Sequence, residues 1–303
     1  MNQGFYRQLA EVMPESRIMR DEPMSLHTTF RVGGPADFFV MPRTKEEVRD
    51  IVSVCRMEGM PCFVLGNGSN LLVSDKGYRG VIVQLYKDMS EVTVEGENIT
   101  AQAGALLSKT AARALEEGLT GFEFAAGIPG TIGGACMMNA GAYGGEMKDV
   151  LSQILVLTPE GKFLTIYSDE LDMGYRSSVI SKRGYIALEA VIVLGKGNKE
   201  DIRQRMEELK ERRVSKQPLE YPSAGSTFKR PEGYFAGKLI EDAGLRGFTV
   251  GGAQVSEKHC GFVINRGNAT ASDIMELMKE VSVRVEKKFG IILEPEVRRV
   301  GEF

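Results

Sequence analysis

Cys62-Phe63-Val64-Leu65-Gly66-Asn67-Gly68-Ser69-Asn70 is the stretch that decides how this chain is read. Four apolar residues make a short strand, which empties into two glycines, two amides and a hydroxyl. Such a loop can turn several backbone N–H groups toward one anion. Taken alone it is equally consistent with a tight turn. A second stretch is Ala125-Ala126-Gly127-Ile128-Pro129-Gly130-Thr131-Ile132-Gly133-Gly134, and Asn139-Ala140-Gly141-Ala142 repeats its theme. Close helix–strand packing is the plainer account of each. Two uncharged glycine loops in one domain instead favour a large flat ligand that carries a pyrophosphate. The Rossmann pattern is absent, because Leu71 stands where its third glycine would be. Gly233-Tyr234-Phe235-Ala236-Gly237-Lys238-Leu239 misses a P-loop by one residue and ends in Leu.

Composition narrows the class. A chain of 303 residues is comfortable as two domains. Its 38 basic and 41 acidic side chains leave a net charge of -3, which suggests neither a nucleic-acid partner nor a membrane surface. The uncharged run from Phe124 to Gly145 has membrane-spanning length, but its seven glycines and Pro129 make a poor free helix. It reads as a ligand site. The N-terminal residues lack a signal-peptide core. Cys55, Cys62, Cys136 and Cys260 form no Cys-x-x-Cys, and only His27 and His259 supply imidazole. Reduced thiols, no metal site and a cytoplasmic location are the expectations.

Along the chain the pattern is α+β. Residues 1–20 predict an amphipathic helix with Phe5, Leu9, Val12 and Met13 on one stripe. Thr44-Lys45-Glu46-Glu47 reads as a capping box before a helix that Gly59 stops. Short strands are expected at 62–65, 81–85, 92–94 and 99–103, and a helix at 108–117. A hairpin pairs 154–157 with 163–167, and a strand covers 185–194. Gly195-Lys196-Gly197-Asn198 is the expected boundary, giving domains 1–196 and 197–303. Beyond it come helices at 201–213, 235–244 and 270–289 and a strand at 291–299.

Three segments carry candidate chemistry. Gly174-Tyr175-Arg176-Ser177-Ser178 sets an Arg in a polar turn. Ala224-Gly225-Ser226-Thr227-Phe228-Lys229 offers a hydroxyl in a loop entered through glycine, with no His nearby to make it a triad nucleophile. Leu293-Glu294-Pro295-Glu296-Val297-Arg298 places two carboxylates on one face if the segment is a strand.

Together with Thr28-Thr29-Phe30-Arg31-Val32-Gly33-Gly34, these motifs, in this order, resemble the UDP-N-acetylenolpyruvoylglucosamine reductase family over nearly the whole chain. The resemblance implies a vanillyl-alcohol-oxidase-type (PCMH-like) FAD-binding domain of two subdomains and a smaller α+β C-terminal substrate domain. It implies non-covalent FAD, NADPH as co-substrate, a UDP-sugar substrate and a monomer. No tyrosine-bearing insertion follows Arg176, so the chain resembles the shorter class of the family. Arg230 stands where some members have Asn.

Roles carried over by motif make Ser226 the proton donor, with Arg176 and Glu296 stabilising the intermediate. Flavin contacts fall on Gly66, Asn67, Gly68, Ser69 and Asn70, on Gly127, Ile128, Pro129, Gly130, Gly133 and Gly134, and on Asn139, Gly141 and Arg213. Substrate contacts fall on Tyr175, Arg176, Lys216, Lys229 and His259. The chemistry is consistent with this. Hydride addition to an enol ether carbon throws negative charge toward the adjacent carboxylate, which an Arg fork can bind. A neutral acid must then protonate the neighbouring carbon. A sugar or lactone oxidase of the same fold and a non-catalytic flavin sensor are the other readings.

Overall fold

The structure is a computed structural model and describes residues 3–303. Met1 and Asn2, where the expected first helix begins, lie outside the described residues. The chain divides into two compact units. One takes the chain through Met19, Phe38–Asn67 and Gly80–Arg213; the other takes Arg20–Asp37, Gly68–Arg79 and Val214–Phe303.

In the first unit, α1 (Gln3–Val12) buries Phe5 and Leu9, and Phe5 packs edge-on against Phe38 at 5.2 Å. This helix stops short of the expected residue 20. Pro14 disfavours helical backbone at the residue before it, and the chain becomes extended at Ile18–Pro23. Helix α2 (Lys45–Met57) starts on Thr44, whose hydroxyl accepts from the Glu47 N–H at 3.1 Å. The reciprocal half of the expected capping box does not form. The Glu47 carboxylate instead accepts from the Arg43 N–H at 2.7 Å and from both terminal guanidinium nitrogens of Arg17, at 2.6 and 2.7 Å. That fork holds the Glu47 carboxyl below the usual range.

A five-stranded antiparallel sheet runs in the order Phe163–Tyr167, Leu151–Leu157, Ile186–Val193, Asn98–Gln102, Val92–Glu95. The expected hairpin closes with Leu157 opposite Phe163. A four-stranded sheet has the order Ile18–Pro23, Pro35–Val40, Tyr78–Gln84, Cys62–Leu65. Its last pair is parallel, with Cys62 opposite Val81 and Leu65 opposite Gln84. Helices α3 (Leu107–Glu116), α4 (Ile132–Met137) and α5 (Val179–Lys182) pack with these sheets on one apolar core. The glycine-rich run that looked like loop throughout therefore contains a short helix, α4. Helix α6 (Lys199–Lys216) is charged and buries only Ile202 and Leu209.

The second unit sets α7 (Ala236–Asp242) and α8 (Ala271–Phe289) on a three-stranded antiparallel sheet, Thr249–Val250, Ala253–Val255, Val263–Asn265. Ile274, Leu277, Met278, Val281 and Val285 make the buried stripe of α8. Thr270 and Asp273 form its capping box, and Gly290 ends it at φ 69. The carboxylate of Asp75 also accepts from the Ala271 and Ser272 N–H groups, at 2.7 and 2.9 Å. One sequence expectation fails here. Residues 291–297 are not strand; only Arg298–Val300 is, paired in parallel with Leu71–Val73. Pro295 has no N–H to give a ladder, so the segment makes a single bridge, to Phe228.

Asp75→Ala removes an anion from the α8 N-terminus. It is expected to cost about 1 kcal/mol of stability, seen as a lower urea midpoint with an unchanged denaturant slope. Unchanged equilibrium unfolding in urea would contradict the capping role.

Candidate flavin and substrate site

The two glycine loops meet in the first unit. The Asn67 side-chain amide donates to the Pro129 carbonyl at 2.7 Å. Gly66 lies so close to Thr131 that an added Cβ would sit 2.4 Å from its Oγ1. The second loop is stapled to residues 103–107 by Leu107 N–H to Gly130, Ile132 N–H to Ala105 and Gly133 N–H to Ala103, at 2.8–3.1 Å. Gly66 and Gly133 thus answer first to internal packing. Gly127, Pro129 and Gly134 are exposed, and a Cβ on Gly134 would meet only Thr131 Oγ1, at an ordinary 3.6 Å. The side chain of Arg213, on α6, passes Gly127; its Cδ would lie 3.2 Å from an added Cβ there.

That arginine carries the electrostatics. Arg213 is half-buried and has neither hydrogen bond nor carboxylate partner among the described residues. Burial lowers its pKa, and only the nearby Tyr143 offsets this. A partly desolvated guanidinium without an anion is costly. A diphosphate laid on the small exposed surface of Gly127, Pro129 and Gly134 would relieve it. The residues present therefore suit the pyrophosphate of a flavin dinucleotide.

Other residues assigned to the flavin have internal duties. Asn139 is buried and donates to Glu146 at 2.7 Å and to the Gly174 carbonyl at 3.2 Å, while its Oδ1 accepts from the Lys148 N–H at 3.0 Å. Gly141 lets the ribbon pair closely, since a Cβ would sit 2.8 Å from Glu146 Cβ. The Asn139 bond also anchors the Arg176 turn. Gly174 and Ser177 exchange both backbone hydrogen bonds, at 3.1 and 3.2 Å, with Tyr175 and Arg176 at the tip. Arg176 has φ 53, a conformation that costs a non-glycine residue about 1–2 kcal/mol. Its guanidinium lies 5.2 Å from the Tyr175 ring centroid. Strain of this kind is retained where it aims a side chain.

In the second unit, Gly68 has φ 64, and a Cβ would sit 2.0 Å from the His27 carbonyl oxygen. Any substitution there tests the fold before it tests a ligand. Ser69 is half-buried. Asn70 donates to the Glu296 carbonyl at 3.2 Å and accepts from the Arg298 N–H at 3.0 Å. Ser226 is exposed, while its neighbour Thr227 is wholly buried. Thr227 donates its N–H to the Gly261 carbonyl, and its own carbonyl accepts from the Glu296 N–H, at 2.9 and 2.8 Å. Gly225 precedes at φ 76 with open space around its Cα. Thr227 therefore ties the backbone next to Ser226 to that of Glu296. Glu294 is not their companion; it makes an exposed ion pair with Lys229 at 3.0 Å.

Lys216 ends α6 exposed, and its charge reaches His259. The His259 ring stacks edge-on to Phe262 at 5.0 Å, and its Nδ1 accepts from the Gly261 N–H at 3.0 Å. That bond fixes the tautomer with the proton on Nε2. Burial, assisted by Lys216, depresses the His259 pKa.

Comparison with known proteins closes the argument. Residues 217–300 match the family profile of the UDP-N-acetylenolpyruvoylglucosamine reductase C-terminal domain, and residues 36–167 match an FAD binding domain. A UDP-N-acetylenolpyruvoylglucosamine reductase of Agathobacter rectalis is 53% identical over 100% of both chains. That of Lachnoclostridium phytofermentans is 53% identical over 100% of this chain and 99% of its own. The chain belongs to the UDP-N-acetylenolpyruvoylglucosamine reductase family. The crystal structure of the reductase from Thermus caldophilus superposes with a TM-score of 0.82 at 37% identity, covering 94% of this chain and 99% of that one. An alkyldihydroxyacetonephosphate synthase shares the fold alone, with a TM-score of 0.51, 18% identity and coverage of 65% and 42%.

Within this reductase fold, sequence reading missed Thr227, which holds both Ser226 and Glu296. A lone Thr after Ser gives no signal of its own. It also missed the pairing of Arg213 with Gly127, which needs a helix some eighty residues later in the chain.

Two measurements follow. Gly134→Ala adds a methyl in open space within a helix, so the flavin-free protein is expected to gain up to about 1 kcal/mol of stability. Its flavin content should nonetheless fall; full flavin content would remove Gly134 from the cofactor surface. The second concerns pH. With its folded pKa depressed, His259 contributes stability that is fully present above its ordinary value near 6.5 and is lost as pH falls through the folded value. His259→Asn should flatten the loss of denaturant resistance as pH falls below about 6.5. An unchanged slope would refute the buried neutral imidazole.

Proposed function

We propose that this protein is an NADPH-dependent reductase that converts UDP-N-acetylenolpyruvoylglucosamine to UDP-N-acetylmuramate, a step in peptidoglycan precursor synthesis. The observation that carries the site assignment is the fixing of exposed Ser226 and half-buried Glu296 on either side of the Thr227–Glu296 backbone bond. Bound FAD supplies the redox chemistry, taking a hydride from NADPH and delivering it to the enolpyruvyl double bond. The chain's own residues do the rest. Arg176, offered at the tip of a strained turn, takes the substrate carboxylate and the charge that grows on it. Glu296, on the segment bonded to Thr227, organises that charge. Ser226 donates the proton to the carbon.

A serine hydroxyl is a weak acid, but a carbanion-like enolate carbon is far more basic than the usual partner of a catalytic acid. Aim then matters more than a matched pKa. Thr227 supplies the aim, because a buried residue bonded on three sides cannot swing. Lys216 and the Nε2–H of His259 are the groups proposed for the diphosphate of the substrate, with Tyr175 and Lys229 as further substrate contacts. Flavin is proposed on Gly66–Asn70 and Gly127–Gly134, with Arg213 on its pyrophosphate. The proposed division of labour gives 1–196 to flavin and 197–303 to substrate, apart from Arg213 on the flavin and Tyr175 and Arg176 on the substrate. A cytoplasmic monomer is the proposed state; among the described residues no helix is long and apolar enough to cross a membrane.

Stopped flow on Ser226→Ala tests the central role. Reoxidation of the reduced enzyme by the enolpyruvyl substrate should slow by about 10²–10⁴-fold, while reduction by NADPH stays near normal. Equal slowing of both half-reactions, or of neither, would exclude Ser226 as the proton donor. Arg176→Lys keeps the charge and loses the fork, and it should impair the same half-reaction.

A further inference from the structure

Gln217 follows the last residue of α6. Its side-chain Oε1 is sealed from solvent and meets no donor, and among the described residues it is the one buried side-chain N or O atom left so. The side chain does not belong to a loose segment. The Gln217 carbonyl accepts from the Leu219 N–H at 3.0 Å, and Pro218 is buried. Lys258 donates to the Val214 carbonyl at 2.7 Å and approaches Glu220 to 4.0 Å, tying the chain on both sides of Gln217. An acceptor withdrawn from water without a partner destabilises the fold by its full desolvation cost, whereas an apolar group of the same shape would not. Retaining one in an anchored turn is consistent with a donor that arrives from outside the chain.

The surroundings narrow that donor. Lys216 is adjacent in sequence and exposed, while Lys258 is held by the Val214 carbonyl and Glu220 and the neutral His259 follows it, so one cation and one ring N–H flank the turn. A carboxamide presents an acceptor and a donor side by side. A cyclic imide presents the complementary edge, an N–H flanked by carbonyls. We propose that Gln217 is a ligand-recognition residue whose Oε1 accepts a hydrogen bond from an imide N–H. Uracil of a uridine nucleotide and the flavin ring both carry this group. The inference rests on the ligands named under the proposed function.

The test replaces Gln217 with Leu, which keeps the bulk and removes the orphan acceptor. Flavin-free Gln217→Leu should resist denaturant at least as well as wild type. UDP binding is measured by calorimetry on flavin-loaded protein, and FAD binding by reconstitution of flavin-free protein. One of the two should weaken about tenfold and the other stay unchanged, which tells the two sources apart. The 3-methyl analogue of the affected ligand, lacking the imide N–H, should then bind wild type and variant equally. If wild type binds both ligands and the variant matches it, a buried water satisfies Oε1 and the role of Gln217 is overturned while the reductase reading stands. If wild type binds neither, both fall. A variant that still loses about tenfold with the methylated analogue overturns the imide assignment.

Discussion

Thr227 is where the candidate site of the second unit is tied down. Its N–H, hydroxyl and carbonyl are each bonded, to the Gly261 carbonyl, the Val263 N–H and the Glu296 N–H, all within 2.8–2.9 Å. A residue with no solvent-exposed surface must satisfy its polar groups internally, and three such bonds leave it one orientation. Everything proposed for the second unit depends on this. Ser226 is presented because its neighbour is fixed. Glu296 is adjacent because its own backbone closes one of the three bonds. The strand Val263–Asn265 runs on to Asn265, whose Oδ1 shapes the turn that leads into α8.

The glycines divide by physical cause. At Gly68 the backbone is left-handed and a carbonyl oxygen occupies the space of a side chain, so glycine is a condition of folding. At Gly134 the backbone is helical and the space is open, and the fold alone would be better served by alanine. The second kind points to a ligand, because glycine without a structural reason leaves room for something not made of protein. Arg213 and Gln217 make the same point in other currencies: a half-buried cation lacking an anion, and a sealed acceptor lacking a donor.

Much of this was legible in the residues. Apolar periodicity located α2, α3, α7 and α8 and the strands expected at 62–65, 92–94, 154–157, 163–167 and 185–194, because a residue pattern follows from which side chains an element buries. The early end of α1 follows from Pro14. The failed strand at 291–297 contained its own warning in Pro295, which alternation of carboxylates concealed. The capping box at Thr44 was half right, since the Glu47 carboxylate takes the Arg43 N–H, one residue before the cap, and the Arg17 fork.

By itself the sequence determined the α+β class, the pair of glycine loops and, through motifs in a fixed order, the family. These are local or serial properties, written in spacing and residue type. Only the tertiary structure decided which glycines serve packing and which leave open surface, and that Asn139 is an anchor. It alone showed that Arg176 is held in a strained conformation, and that Thr227 ties the backbones carrying Ser226 and Glu296 to one another. Those facts depend on burial and on hydrogen bonds between residues far apart in the chain. Such bonds exist only once water has been excluded and every buried polar group has been forced to find its partner.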